Sequence, residues 1–192
     1  MRDAVLSKAL TGSDSLLKKL VMVVFGVLAV GIAAQAEVPM FPVPMTLQTL
    51  AISVIGLTYG ARMAALTLVA YLAAGAVGMP VFAGGSAGFI KLMGPTAGFL
   101  WGFIAMAYIT GWLVERGLSR GILRLFVAAF IPSMLLFVPG VLVLWAVLPS
   151  LDLNGALNAG AYPFLVGGVV KSLIAALIVA GGWAALKSRK NT

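Results

Sequence analysis

Lys171 is the residue in this sequence whose position demands chemistry. It follows Tyr162-Pro163-Phe164-Leu165-Val166-Gly167-Gly168-Val169-Val170, about ten residues into an apolar run at 161–186. A cation at such depth costs about 2.5–3.5 kcal/mol on insertion scales unless it finds a partner or water. No acid lies one helical turn away on the same run, so the partner is a carbonyl, a distant acid or the carboxylate of a ligand. Snorkelling to an interface is the plainer alternative, and depth works against it. An intramembrane lysine without a local acid points to a site for an anionic ligand.

Two irregular stretches offer further polar groups. Val38-Pro39-Met40-Phe41-Pro42-Val43-Pro44-Met45-Thr46-Leu47-Gln48-Thr49-Leu50 keeps an extended chain as far as Pro44, which suits the start of a helix. Thr46, Gln48 and Thr49 then place hydroxyl and amide groups in its first turns. They read either as capping groups or as a polar lip over a cavity, because an amide both donates and accepts. Gly78-Met79-Pro80-Val81-Phe82-Ala83-Gly84-Gly85-Ser86-Ala87-Gly88-Phe89-Ile90-Lys91 and the residues through Gly94-Pro95-Thr96 are apolar but too rich in glycine and proline for a straight helix. Non-helical backbone at membrane depth is tolerated only against protein or a cavity. Gly84 and Gly85 permit close backbone approach, Phe82 and Phe89 offer apolar faces, and Lys91 adds a cation. We expect a loop folded over an outward-facing cavity, with a structural re-entrant turn as the alternative. No Gly-Lys-Ser/Thr follows the glycines, so a nucleotide phosphate loop is a poor match.

What is missing limits the chemistry equally. There is no Cys and no His. Thiol nucleophiles, disulfides, Cys/His metal sites and the commonest general base are therefore absent. The acids are Asp3, Asp14, Glu37, Glu115 and Asp152, none close enough in sequence to another to suggest a carboxylate pair or hard-cation site. No catalytic residue and no metal site is expected, and an enzyme working on a lipid-soluble substrate is disfavoured.

The elements that must position these groups follow from composition. Of 192 residues, 62% are apolar and only 9% charged, against about 25% charged in a soluble domain. Most of the surface therefore faces lipid. Apolar runs near the roughly 20 residues of a membrane-crossing helix lie at 20–36, 45–61, 64–80, 96–114, 122–148 and 161–186. Gly60, Ala61 and Arg62 punctuate the second and third as a tight turn. Pro132 and Pro139 predict a kink or tilt in the fifth. The expectation is an all-α, single membrane domain over 1–192, with six transmembrane helices.

The net charge of +8 is positional. With the N-terminus inside, six spans place Arg2, Lys8, Lys18, Lys19, Arg62, Arg116, Arg120, Arg124, Lys187, Arg189 and Lys190 in the cytoplasm. Lys91 falls outside and Lys171 within a span. The positive-inside rule is met with both termini cytoplasmic, and no nucleic-acid partner is needed to explain the basic excess. A rival reading takes Ala34-Gln35-Ala36 as a signal-peptidase site after Lys18 and Lys19. Cleavage there would leave five spans; retention is expected, because the run is helix-length and no soluble exported domain follows. On the first helix, Ala29-xxx-Ala33 with Gly26 nearby allows close helix approach, either internally or with another membrane protein.

Pro42-Val43-Pro44-Met45-Thr46-Leu47-Gln48-Thr49-Leu50, Gly78-Met79-Pro80-Val81-Phe82-Ala83-Gly84-Gly85 and Gly94-Pro95-Thr96-Ala97-Gly98-Phe99 resemble the BioY family over the whole chain. These are the biotin-specific substrate-binding (S) components of energy-coupling-factor transporters. The resemblance implies a multi-pass protein of the bacterial cytoplasmic membrane that captures biotin on its outer side. It also implies work with a transmembrane coupling (T) protein and a pair of ABC-type ATPase subunits, and toppling to release the substrate inside. ATP would be used by those partners, and this chain would carry no cofactor. Ala29 and Ala33 would match the surface that docks the coupling protein. Ligand contacts would come from Thr46, Gln48, Lys91, Tyr162, Gly168 and Lys171, with Phe82, Gly84, Gly85 and Ser86 in the covering loop. The family's last-helix pattern is similar to Pro-Phe-Leu-x-Gly-Asp-x-x-Lys. This chain matches it at Pro163, Phe164, Leu165, Gly167 and Lys171 but has Gly168 where an acid is usual. That acid would be expected to help hold the polar ureido end of biotin. An S component or autonomous facilitator for another small vitamin is the alternative.

Overall fold

A computed structural model describes Val5 and residues 15–190. Arg2, Asp3, Lys8 and Asp14, and the side chains of Arg189 and Lys190, lie outside the described residues. The main helices are α1 (Leu16–Gln35), α2 (Gln48–Tyr59), α3 (Ala61–Ala76), α4 (Ala97–Glu115), α5 (Ile122–Leu135), α6 (Phe137–Val147), α7 (Leu153–Gly160) and α8 (Leu165–Lys190). Short 3-10 turns cover Ala83–Gly85, Phe89–Leu92 and Tyr162–Phe164.

Four helical stretches among the described residues are long and apolar enough to cross a membrane: Leu16–Gln35, Ala97–Glu115, Ile122–Val147 and Leu153–Ser188. The second and third apolar runs form shorter helices of 12 and 16 residues. At 1.5 Å per residue, α2 alone reaches only about 18 Å, short of the roughly 30 Å of hydrocarbon. The reason lies in the chain. Thr46 is drawn into a two-residue antiparallel strand pair, Glu37–Val38 with Met45–Thr46, which departs from the all-helical expectation. The prolines between them leave an extended hairpin, with a cis Phe41–Pro42 bond. At the other end of the pair of helices, α3 stops at Ala76, ahead of Gly78 at φ 103° and Pro80.

The turn between α2 and α3 is Gly60 alone, with Ala61 and Arg62 already helical. Glu115 Oε1 accepts from the Ala61 N–H at 3.0 Å, so the end of α4 caps the start of α3. The expected break in the fifth run falls at Leu136, where α5 passes into α6. Pro139 has no N–H to give to the Leu135 carbonyl, and the ladder resumes with Gly140 N–H donating to Leu136.

α4 is the central helix. It packs on α3, α2, α5 and α6, and 61% of its apolar window is buried, against 17% for α1. One core cluster, with Ile52, Tyr71, Phe82, Phe99, Phe103 and Phe164, lies toward the end where α4 begins. A second, with Leu57, Val114, Leu125 and Val179, lies toward the end where α4 finishes. That second end carries Arg62, Arg116, Arg120, Arg124 and Lys187. Arg116 sits 4.6 Å over the Trp112 ring and Arg120 4.6 Å over Trp183. Aromatic faces thus hold two of the cations that mark this end.

Candidate functional site

A cavity of about 200 Å³ opens where α4 begins. Phe99, Leu100 and Phe103, one face of α4 by their spacing, form its apolar wall with Phe137 and Phe164. The Phe137 and Phe164 rings lie 6.4 Å apart at 40°. The proline hairpin, through Pro42, Val43 and Pro44, forms the rim. Phe82, Ala83, Ser86 and Lys91 come from the loop between α3 and α4. Lys171 and Gly168 face in from α8, and Ser133 from α5. Among the described residues that line it, none is acidic. The cavity therefore presents two lysines, an amide and several hydroxyls beside a wall of five phenylalanines, an environment for a ligand that brings negative charge and an apolar body.

The polar side chains are joined in one chain of hydrogen bonds. Lys171 Nζ donates to the Thr46 carbonyl at 2.8 Å, so of the partners left open by the sequence a carbonyl is the one taken. Thr46 Oγ1 donates to Gln48 Oε1 at 2.8 Å, and the Gln48 N–H reaches back to Thr46 Oγ1 at 3.3 Å. Gln48 Nε2 donates to the Tyr71 hydroxyl at 2.8 Å, and Tyr71 donates to the Val81 carbonyl at 2.9 Å. The chain ties α8, the strand pair, α2 and α3 to the root of the loop. Gln48 and Tyr71 are buried, and satisfied polar groups at that depth fix orientation because the alternative is an unpaired dipole.

The loop is seated by packing as well. The Phe82 ring stands edge-on to Tyr71, with centroids 5.6 Å apart at 79°, and lies on Gly75, where any Cβ would collide with it. Phe82 is consequently buried, 2% exposed, and acts as a plug. Gly84 and Gly85 have φ of 64° and 65°, the left-handed region that glycine enters without strain. They turn the chain so that Ser86 Oγ closes on the Ala83 carbonyl at 2.7 Å.

Seven of the expected residues thus meet at one cavity: Thr46, Gln48, Phe82, Ser86, Lys91, Gly168 and Lys171. Gly84 and Gly85 shape the loop beside it and are not among its lining residues. Tyr162 is also outside the lining and is 54% exposed; the break before α8 at Pro163 leaves it at the surface. Ala29 and Ala33 line a separate apolar groove of about 490 Å³ between α1 and α2, with Ile178 of α8. Sequence reasoning missed Tyr71, a hydroxyl inside an apolar helix, which was itself a legible signal. It also missed Ser133 and the phenylalanines of α4, α6 and Phe164, whose types are common in any apolar helix.

Several long apolar helices around a polar-accented cavity are the architecture of a multi-pass membrane protein. The chain belongs to the BioY family, whose model matches residues 5–188. It is 32% identical over 158 residues to a biotin transporter BioY of Rhizobium etli, covering 79% of this chain and 84% of that one. It is 28% identical over 176 residues to biotin transporter BioY2 of Lactococcus lactis, covering 92% and 94%. The fold is similar to a crystal structure of the S-component for biotin from an ECF-type ABC transporter. The TM-score is 0.77 at 21% identity, over 91% of this chain and 92% of that one.

Proposed function

We propose that this chain is a biotin-capturing S component of an energy-coupling-factor transporter. The observation that carries the reading, beside family membership, is the presence of both Lys91 and Lys171, and of no acid among the described residues, in the lining of a cavity with a phenylalanine wall. Biotin has an apolar thioether bicycle, a ureido group and a carboxylate tail. Phe99, Phe103, Phe137 and Phe164 suit the bicycle. Lys91, Lys171, Gln48 and Thr46 supply the directed polar contacts, and the loop with Phe82, Gly84, Gly85 and Ser86 covers them. Gly168 brings no side chain to the wall, and the Met134 Cε methyl lies where its Cβ would be. The exposed Tyr162 has no part in this reading.

The rest of the assignment follows the family. The chain is a transporter component and not an enzyme, and it forms one membrane domain over 1–192 in the bacterial cytoplasmic membrane. Six helices cross, α2 and α3 being completed by the proline hairpin and the loop after α3. Both termini lie in the cytoplasm, consistent with the arginines gathered at the end opposite the cavity. A coupling protein docks against Ala29 and Ala33, and ATP is hydrolysed by partner subunits.

Equilibrium binding of labelled biotin to the detergent-purified chain tests the reading. Saturable binding, displaced by unlabelled biotin but not by other vitamins, is expected. Absence of saturable binding overturns it, and displacement by another vitamin reassigns the substrate.

A further inference from the structure

Gln35 is the last residue of α1, and its amide is used at both ends. Nε2 donates to the Phe82 carbonyl at 3.1 Å and to the Gly31 carbonyl of its own helix at 3.0 Å. Oε1 accepts from the Gly85 N–H at 2.8 Å. The side chain therefore spans the 3-10 turn Ala83–Gly85 from the residue before it to its last member. Phe82, Ala83 and Ser86 of this turn line the cavity, whereas no residue of α1 does. A side-chain amide supplies a donor and an acceptor on one short planar group. A glutamate has no hydrogen for the Phe82 carbonyl, and an alanine reaches neither partner. The turn presents Gly85 N–H outward because Gly84 and Gly85 are left-handed.

We infer that Gln35 is a latch: a positioning residue that holds the 82–86 turn over the cavity and so sets how slowly a bound ligand escapes. The inference rests on the covering-loop reading of the same site. Tyr71, Gly75 and Gln48 seat the root of the loop from α2 and α3, but the clasp on the turn itself comes from α1. It joins the least buried of the long apolar helices to the cover of the cavity.

The test uses the full chain in detergent with two readouts. In the first, labelled biotin is allowed to wash out from the parent, Gln35→Ala and Gln35→Glu. Loss of a partly buried hydrogen-bonded clasp, at about 1 kcal/mol net, speeds dissociation roughly fivefold. The second needs no ligand. The chain has no Cys, so Ser133→Cys places a single thiol in the cavity wall, at a residue 3% exposed. Its reaction with a charged methanethiosulfonate in the absence of biotin reports opening of the cover. Adding Gln35→Ala or Gln35→Glu speeds that reaction by a similar factor. Unchanged thiol reactivity in both variants overturns the latch. A parent that binds no biotin overturns the capture reading instead, while the thiol rates still decide the latch. Should Gln35→Ala not yield folded protein, Gln35→Glu, which keeps the acceptor for Gly85, carries both readouts.

Discussion

Among the described residues, a cavity and a groove lie on either side of α2. Its first turn gives Gln48 and Thr49 to the cavity, while Leu47, Leu50, Ala51 and Val54 border the groove against α1. The groove is the larger, about 490 Å³ against about 200 Å³. Its walls are aliphatic or aromatic apart from Thr58 and Tyr59, and Thr58 Oγ1 is already satisfied by the Val54 carbonyl at 2.6 Å. The cavity is smaller but holds two cations, an amide and hydroxyls. Size therefore does not identify the solute site. A groove facing hydrocarbon satisfies itself with lipid or another apolar helix, whereas a cavity lined by the exposed Lys91 and the half-buried Lys171 offers positive charge to a ligand that brings a negative group.

That contrast is open to direct attack. The largest effect is expected from filling the groove. In Ala29→Trp with Ala33→Trp, coupled uptake by the assembled transporter should fall to background while equilibrium biotin binding by the isolated chain is kept. Loss of binding in that variant would mean the two concavities are not independent. Next comes Lys171→Met. Hydrogen bonds to charged groups are worth about 1.5–3 kcal/mol, so biotin affinity should drop about 10–100-fold. The Tm should be no lower, because an expensive intramembrane cation has gone; calorimetry or a thermal-shift assay reads the second half of that statement.

A smaller loss, on the order of tenfold, is expected for Gln48→Leu. It removes one directed amide and leaves the Tyr71 hydroxyl without its donor. Titration with labelled biotin decides it, and an unchanged affinity would remove the hydrogen-bonded chain from the binding account. The most modest change should come from Gly168→Asp. A Cβ there would meet only the flexible Met134 Cε at 2.7 Å, with Ser133 Oγ next at 3.7 Å. The carboxylate can be housed once the methionine moves, and one added charge-assisted hydrogen bond should tighten binding several-fold. Unchanged affinity would refute the role given to that position.

The sequence was a good guide to the site where residue type was out of place. Lys171 and Gln48 stand out because apolar helices do not keep such groups without cause, and both line the cavity, as does Lys91 of the loop. The glycine run after Gly78 announced an irregular loop for the same kind of reason. It was a poor guide to helix length: the runs at 45–61 and 64–80 are predominantly apolar throughout, yet the helices are Gln48–Tyr59 and Ala61–Ala76. Apolarity reports the solvent of a segment and is silent on where backbone pairing ends. Tyr162 shows a related limit, since proximity to Lys171 in sequence did not bring it to the cavity across the break at Pro163.

What the sequence determined alone is the medium, the helical class and the charge pattern, because these depend on composition and on spacing along one element. What the tertiary structure decided is who meets whom. Thr46 and Lys171 are separated by 125 positions and share a hydrogen bond, and Gln35 and Gly85 are separated by 50. Gln35 read in sequence as the middle of Ala34-Gln35-Ala36, a stretch like a processing site; in the fold it grips the cover of the cavity. Such partnerships are set by the packing of α1, α3 and α8 around α2 and α4, and no local pattern encodes them.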